Sequence, residues 1–275
     1  MKSASDGEHR VGGWRQASAD GPATAATGVR RRKSEPQPHA DVERKIAALF
    51  AERQIEQLIA IAEPAPANRG SVLRALWEVQ RAIYALDDYG ESTWSLSTAE
   101  LKKRWTAIEA QVARFVSAGA IQRALLAELA TYRDVEIARR SGTEVTAIGI
   151  SEFYRLKACD LRLARNLIGV LTGYRSSAEA NSLWPICEIA GEICDDLADL
   201  EEDCGTYNAN RVAVALSTRP TAVVVAEYSN VLRSLTSPVS SSFSYDDAEA
   251  TLVADAILRH CETAYQLLGS LASLR

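Results

Sequence analysis

The stretch that most constrains this chain is residues 184–212, WPICEIAGEICDDLADLEEDCGTYNANRV, an apolar run that ends in a burst of acid. Asp195, Asp199 and Asp203 recur every fourth residue, so on an α-helix their carboxylates share one face over two turns. Like charges at that spacing repel by ~0.2–0.5 kcal/mol per pair when exposed, and by more when buried. They also crowd a helix C-terminus, where the macrodipole already places partial negative charge. Two readings follow: a solvated helix end, or carboxylates gathered around a cation. All-oxygen donors suit Mg²⁺ or another hard divalent ion, not zinc or copper.

A second acidic cluster, Asp87-Asp88-Tyr89-Gly90-Glu91, closes the helix-like run SVLRALWEVQRAIYALDD. Asp87 and Glu91 stand at i,i+4 and Asp88 and Glu91 at i,i+3, so one face again carries more than one carboxylate. This cluster too sits at a C-terminal end. Two acid-tipped helices about a hundred residues apart can face each other across a bundle and share metal ions.

The rest of the chain predicts an all-α, single-domain helical bundle. With 275 residues, 47% of them hydrophobic, and only 15 Gly and 8 Pro, it can bury one large core. Residues 1–40 lack apolar periodicity and read as a disordered tail with a short basic run, Arg30–Lys33. The folded domain is expected over 41–275. Helical spacing of Ile46, Leu49, Phe50, Ile55, Leu58 and Ile59 predicts one first helix from Asp41, ended by PAPANRG. A second runs from about Ser71 to Gly90, and a third starts at the capping pair Ser97 and Glu100. A fourth covers about 120–141, with Arg139 and Arg140 reading as helix-end charges. Thr143 to Gly173 reads as a long helix or a broken pair, and the acidic helix spans 179–204. Pro220 opens a helix to about Leu235, SPVSSSFS reads as a loop, and Ser244 with Asp247 caps a last helix. His260 reads as a core or surface residue.

A net charge of -5 argues against nucleic acid as a partner, and no apolar run is long enough for a membrane span. Five cysteines without CxxC spacing, and no secretory h-region, fit free thiols in the cytoplasm.

With these residues in view, the chain resembles the class I isoprenoid (terpenoid) synthases. DDYGE at 87–91 is similar to the family's first Asp-rich motif, DDxxD/E. DDLADLEED at 195–203 resembles the second motif of prenyltransferases through Asp195, Asp196 and Asp199. It also resembles the terpene-cyclase triad (N/D)DxxSxxxE through Asp195, Asp199 and Asp203, with Asp in the Ser and Glu places. D-x-x-E-D-x-G at 199–205 is similar to squalene/phytoene synthases as well.

The resemblance implies that Asp87, Asp88, Glu91, Asp195, Asp199 and Asp203 hold a cluster of Mg²⁺ ions. It makes Asp87, Asp88, Asp195 and Asp199 the catalytic set. A prenyl diphosphate would be the substrate, its diphosphate gripped by Lys157 or Arg155 and by Arg211. The rival reading of these bases is ordinary surface charge, with Asp160 pairing Lys157. Trp77, Tyr84 and Tyr154 are candidates for facing a carbocation, or for plain core packing. Gly191, above the acids, would leave room for an isoprenoid chain.

Neither a GKRxRP-like segment nor an Arg-Arg-Gly after the first motif occurs, so chain elongation is demoted. The expectation is a Mg²⁺-dependent terpene synthase, a carbon–oxygen lyase that cyclises the allylic cation or eliminates from it. The runner-up is a prenyltransferase, squalene/phytoene-like coupling included. From another class, a non-catalytic helical partner-binding protein stays open, and so does a homodimer.

Overall fold

In the computed structural model, residues 38–63, 65–117, 119–140, 145–204, 209–241 and 246–273 are described. They form an all-α architecture with no strand among them, within one compact unit that spans Gln37–Arg275. The helices are α1 (Pro38–Glu52), α2 (Ile55–Ala62), α3 (Pro66–Ser92), α4 (Thr98–Phe115) and α5 (Ala120–Arg140). After a 3-10 turn at Val145–Ala147 come α6 (Ile150–Lys157), α7 (Cys159–Thr172), α8 (Ala178–Ala198) and α9 (Leu200–Asp203). The chain closes with α10 (Arg211–Thr218), α11 (Thr221–Ser241) and α12 (Ala248–Ser273). The expected tail, 1–40, falls largely outside the described residues, and α1 reaches back to Pro38.

Helix α8 is the central strut. Thirteen of its 21 residues are buried, which leaves it almost no solvent face. Helix α12 packs along it, α11 packs along α12, and α6 lies against its other side. Helix α7 bridges α3 and α5. The core between them is continuous, from Ile46 and Ile59 through Ile108, Leu167 and Ile193 to Tyr228 and Ile257.

Several boundaries follow the local chemistry. Ser97 caps α4 by accepting from the Glu100 amide, and Ser177 caps α8 by accepting from the Ala180 amide at 3.0 Å. Gly173 ends α7 in the left-handed region, φ 74°, where a side chain is disfavoured. The last helix is capped by Asp247, whose carboxylate accepts from the Ala250 amide at 2.8 Å. Ser244 lies outside the described residues.

Two expectations are corrected. The single first helix is two, because the chain bends at Arg53-Gln54 with Gln54 at φ 54°. Of the two readings of 143–173 the broken pair holds, since α6 and α7 meet at Ala158 after the 3-10 turn at Val145–Ala147. The start of the expected loop SPVSSSFS is helical, since α11 carries through Pro238 to Ser241. No helix among the described residues is long and apolar enough to cross a membrane.

The caps around α8 give a direct stability test. Gly173→Ala forces a left-handed alanine and Ser177→Ala removes a helix cap; each should cost about 1 kcal/mol in urea unfolding. Wild-type midpoints in both variants would show that α8 is not anchored at its N-terminus.

Candidate functional site

Helix α8 and its continuation into α9 carry two acidic stripes, one residue out of phase. The outer one is the expected set, Asp195, Asp199 and Asp203. The inner one is Glu188, Glu192 and Asp196, all buried and again four residues apart. Sequence reading missed the inner stripe as a unit, although E-x-x-x-E-x-x-x-D inside an apolar helix is visible by inspection.

Each inner acid has a cation from another helix. Arg162 of α7 donates to Glu188 at 2.8 Å, and Arg165 stands 3.8 Å from the same carboxylate. Arg53, at the α1–α2 bend, donates to Glu192 at 3.1 Å and also to Asp195 of the outer stripe. Lys157, the last residue of α6, donates to Asp196 and lies 3.7 Å from Glu192. Asp196 also accepts from the Tyr154 hydroxyl and the Arg211 amide, both at 2.8 Å.

Burial alone would lower the Lys157 ammonium; Asp196 and then Glu192 outweigh it and hold it above its usual range. Burial pushes Glu192 up to about 8, against the opposing pull of Arg53 and Lys157.

Among the outer acids, Asp195 accepts from Arg53 and Asp203 accepts from Asn210. Asp87 and Glu91, near the end of α3, are partly buried, while Asp88 one residue on is exposed. The Asp87 carboxyl is held well above the carboxylate range, first by burial and then by Glu136, Glu91 and Asp160. Glu91 is pushed up to about 7 by burial, then by Glu136 of α5 and by Asp203 of α9. Asp199 is raised by partial burial and by Asp195 and Asp203. The action of Asp203 on Glu91 puts the two acidic helix ends within electrostatic reach of one another. Lys157 is a common neighbour, lowering Asp87, Glu91 and Asp199 alike.

The joint between α8 and α9 falls at Asp199, whose φ of -93° and ψ of 8° bend the chain while the Asp203 amide still donates to the Asp199 carbonyl. Asn210, also missed in the sequence, bridges this turn. Its Nδ2 donates to the Asp196 carbonyl at 2.7 Å and to Asp203 Oδ2 at 2.9 Å.

The expected bases separate. Lys157 enters the acid cluster; Arg155 is exposed on α6. Arg211 is buried, and its guanidinium donates to the Ile148 carbonyl at 2.9 Å and to the Tyr228 hydroxyl at 3.2 Å. Those bonds hold α10 to the 3-10 turn and α11, and not to the acids. Asp160 accepts from Gln80 Nε2 at 3.0 Å instead of pairing Lys157.

Of the aromatics, Trp77 packs edge-on to Phe50 and donates to Glu43, and Tyr154 is tied to Asp196 in the core. Tyr84 stands nearest in role to the expectation: its hydroxyl feels Asp160, Asp87, Asp195 and Glu192 after burial. His260 is buried beside Glu52, and burial, with Arg53, lowers it to about 4, so it is neutral. The space above Gly191 holds no open channel, because the Arg53 guanidinium fills it. The cavity beside Arg53, lined by Leu49, Phe50, Leu161 and Ala164, holds about 10 Å³.

The donor set fits a hard divalent cation: oxygen ligands only, at a site where negative charge exceeds positive. Among the described residues no three His, Cys, Asp or Glu side chains already converge to metal-holding distance. Asp87, Glu91, Asp195, Asp199 and Asp203 are the residues that would hold it. Comparison with protein-family models, with curated proteins and with solved structures finds no match.

The raised Glu91 carboxyl has a signed consequence. Its folded pKa lies above the ordinary 4.5, so its contribution to stability is present below that value and lost as pH rises through about 7. In metal-free buffer, Glu91→Gln should therefore stabilise the protein near pH 8, by about 2 kcal/mol, and leave it unchanged near pH 4.5. Thermal melts across that range are the measurement; a pH-independent difference would show that Glu91 does not feel the neighbouring acids.

Proposed function

We propose that the chain is a Mg²⁺-dependent class I terpene synthase, which ionises a prenyl diphosphate and cyclises the allylic cation or eliminates from it. One observation supports the reading: the acidic ends of α3 and of α8–α9 lie within electrostatic reach of one another, Asp203 acting on Glu91 and Lys157 acting on acids of both. Carboxylates arranged at that cost call for a cation, and a cation so placed binds a diphosphate.

Bound Mg²⁺ would supply Lewis-acid stabilisation to the departing diphosphate. The chain's own residues do the rest. Asp87 and Glu91 from α3, and Asp195, Asp199 and Asp203 from α8–α9, define the ligand positions, and Asn210 orients Asp203. Lys157, the one expected base among the acids, adds positive charge on the diphosphate side. Tyr84 offers an aromatic face beside the acids.

A second reading, a non-catalytic helical bundle, is favoured by the interior cavity of about 10 Å³, too small for a prenyl chain in this conformation.

The deciding experiment incubates the protein with Mg²⁺ and geranyl, farnesyl or geranylgeranyl diphosphate, with and without isopentenyl diphosphate. Diphosphate release and extracted products are followed. A hydrocarbon or alcohol from one diphosphate alone is expected; longer diphosphates made only with isopentenyl diphosphate would assign a prenyltransferase. Asp87→Asn and Asp195→Asn should each lower turnover about 100-fold or more, with circular dichroism unchanged. Asp88→Asn, on the exposed side, should cost little. Diphosphate neither bound nor released in the presence of Mg²⁺ would favour the non-catalytic bundle.

A further inference from the structure

Arg53 sits where an ordinary helix would not take it. Its side chain is 2% exposed, although it follows the last residue of a surface helix. Nη2 serves both Glu192 and Asp195, while Nε and Nη1 are buried with no hydrogen-bond partner among the described residues. Unmade hydrogen bonds of this kind cost about 1–3 kcal/mol each.

The seat itself is made of absent atoms. A Cβ at Gly191 would lie 1.5 Å from Arg53 Nη1 and 2.7 Å from Cζ, so only glycine admits the guanidinium. The bend that delivers it puts Gln54 at φ 54°, ψ 36°, a conformation that costs a non-glycine residue about 1 kcal/mol or more. A strained residue, a bare helix position and two unsatisfied donors go with one arrangement: a guanidinium shared by Glu192 and Asp195.

Resting on the cation reading above, we propose that Arg53 is the resident counter-ion of the site, displaced from Asp195 when a divalent cation binds. Guanidinium and cation compete for one carboxylate, and each weakens the other's hold by the same factor. Once released, Arg53 keeps Glu192 alone.

The test is Mn²⁺ binding in the presence of inorganic diphosphate, read by electron paramagnetic resonance on the full chain. Gly191→Ala changes no charge, yet its Cβ evicts the guanidinium. The pair Arg53→Met with Glu192→Gln removes competitor and partner together, at constant net charge. Both proteins should bind Mn²⁺ about tenfold tighter than wild type, with unchanged helical circular dichroism, and Asp195→Asn should abolish binding. Equal, Asp195-dependent affinity in wild type and folded Gly191→Ala overturns the competition and leaves the cation reading standing. If Gly191→Ala fails to fold, wild-type affinity in the double variant overturns it equally. No Mn²⁺ binding in any of these proteins overturns both.

Discussion

The structure depends on three buried carboxylates, Glu188, Glu192 and Asp196, on the helix at its centre. A buried charge without a partner costs several kcal/mol, and removing one partner of a buried pair typically costs about 3–5 kcal/mol. Helix α8 therefore cannot be buried unless cations reach it at three successive turns. They come from three separate places: Arg162 and Arg165 on α7, Arg53 at the α1–α2 bend and Lys157 at the end of α6. Each fixes the register of the element that carries it. The same ion pairs add little net stability over an apolar core.

The outer stripe gains its character from the inner one. Asp195 and Asp196 are neighbours in sequence, yet about 100° of helical rotation separates their fates. Asp196 faces inward, where Tyr154, Lys157 and the Arg211 amide satisfy it. Asp195 acts on Glu52 and Asp199, and its guanidinium partner is shared with Glu192. The acids at the bundle end raise one another's carboxyls: Asp203 acts on Glu91, and Asp195 and Asp203 act on Asp199.

Much of this was legible in the sequence. Helix existence, the caps at Ser97 and Asp247, and the two acidic clusters all rest on contacts within about four residues, which periodicity and capping patterns encode directly. Lys157 was legible too, as a base on the helix before the acids. Arg211 was placed with the diphosphate-binding bases because it lies two turns past Asp203; in the fold its guanidinium donates to the Ile148 carbonyl and the Tyr228 hydroxyl. Gly191 was read as room for a ligand, and the room is taken by Arg53.

What the sequence by itself determined is therefore the set of helices, their polarity and the acidic ends they carry, all of them properties of neighbours along the chain. What only the tertiary structure decided is which acid keeps a cation. Arg53 is 139 residues from Glu192 and 142 from Asp195. Nothing local marks it: ALFAERQIEQ reads as unbroken helix, with no Gly or Pro to announce a bend. The bend at Gln54 sets the strain of one left-handed residue against the pairing of Arg53 with two distant carboxylates. That balance is struck between distant segments, and only the folded chain brings them together.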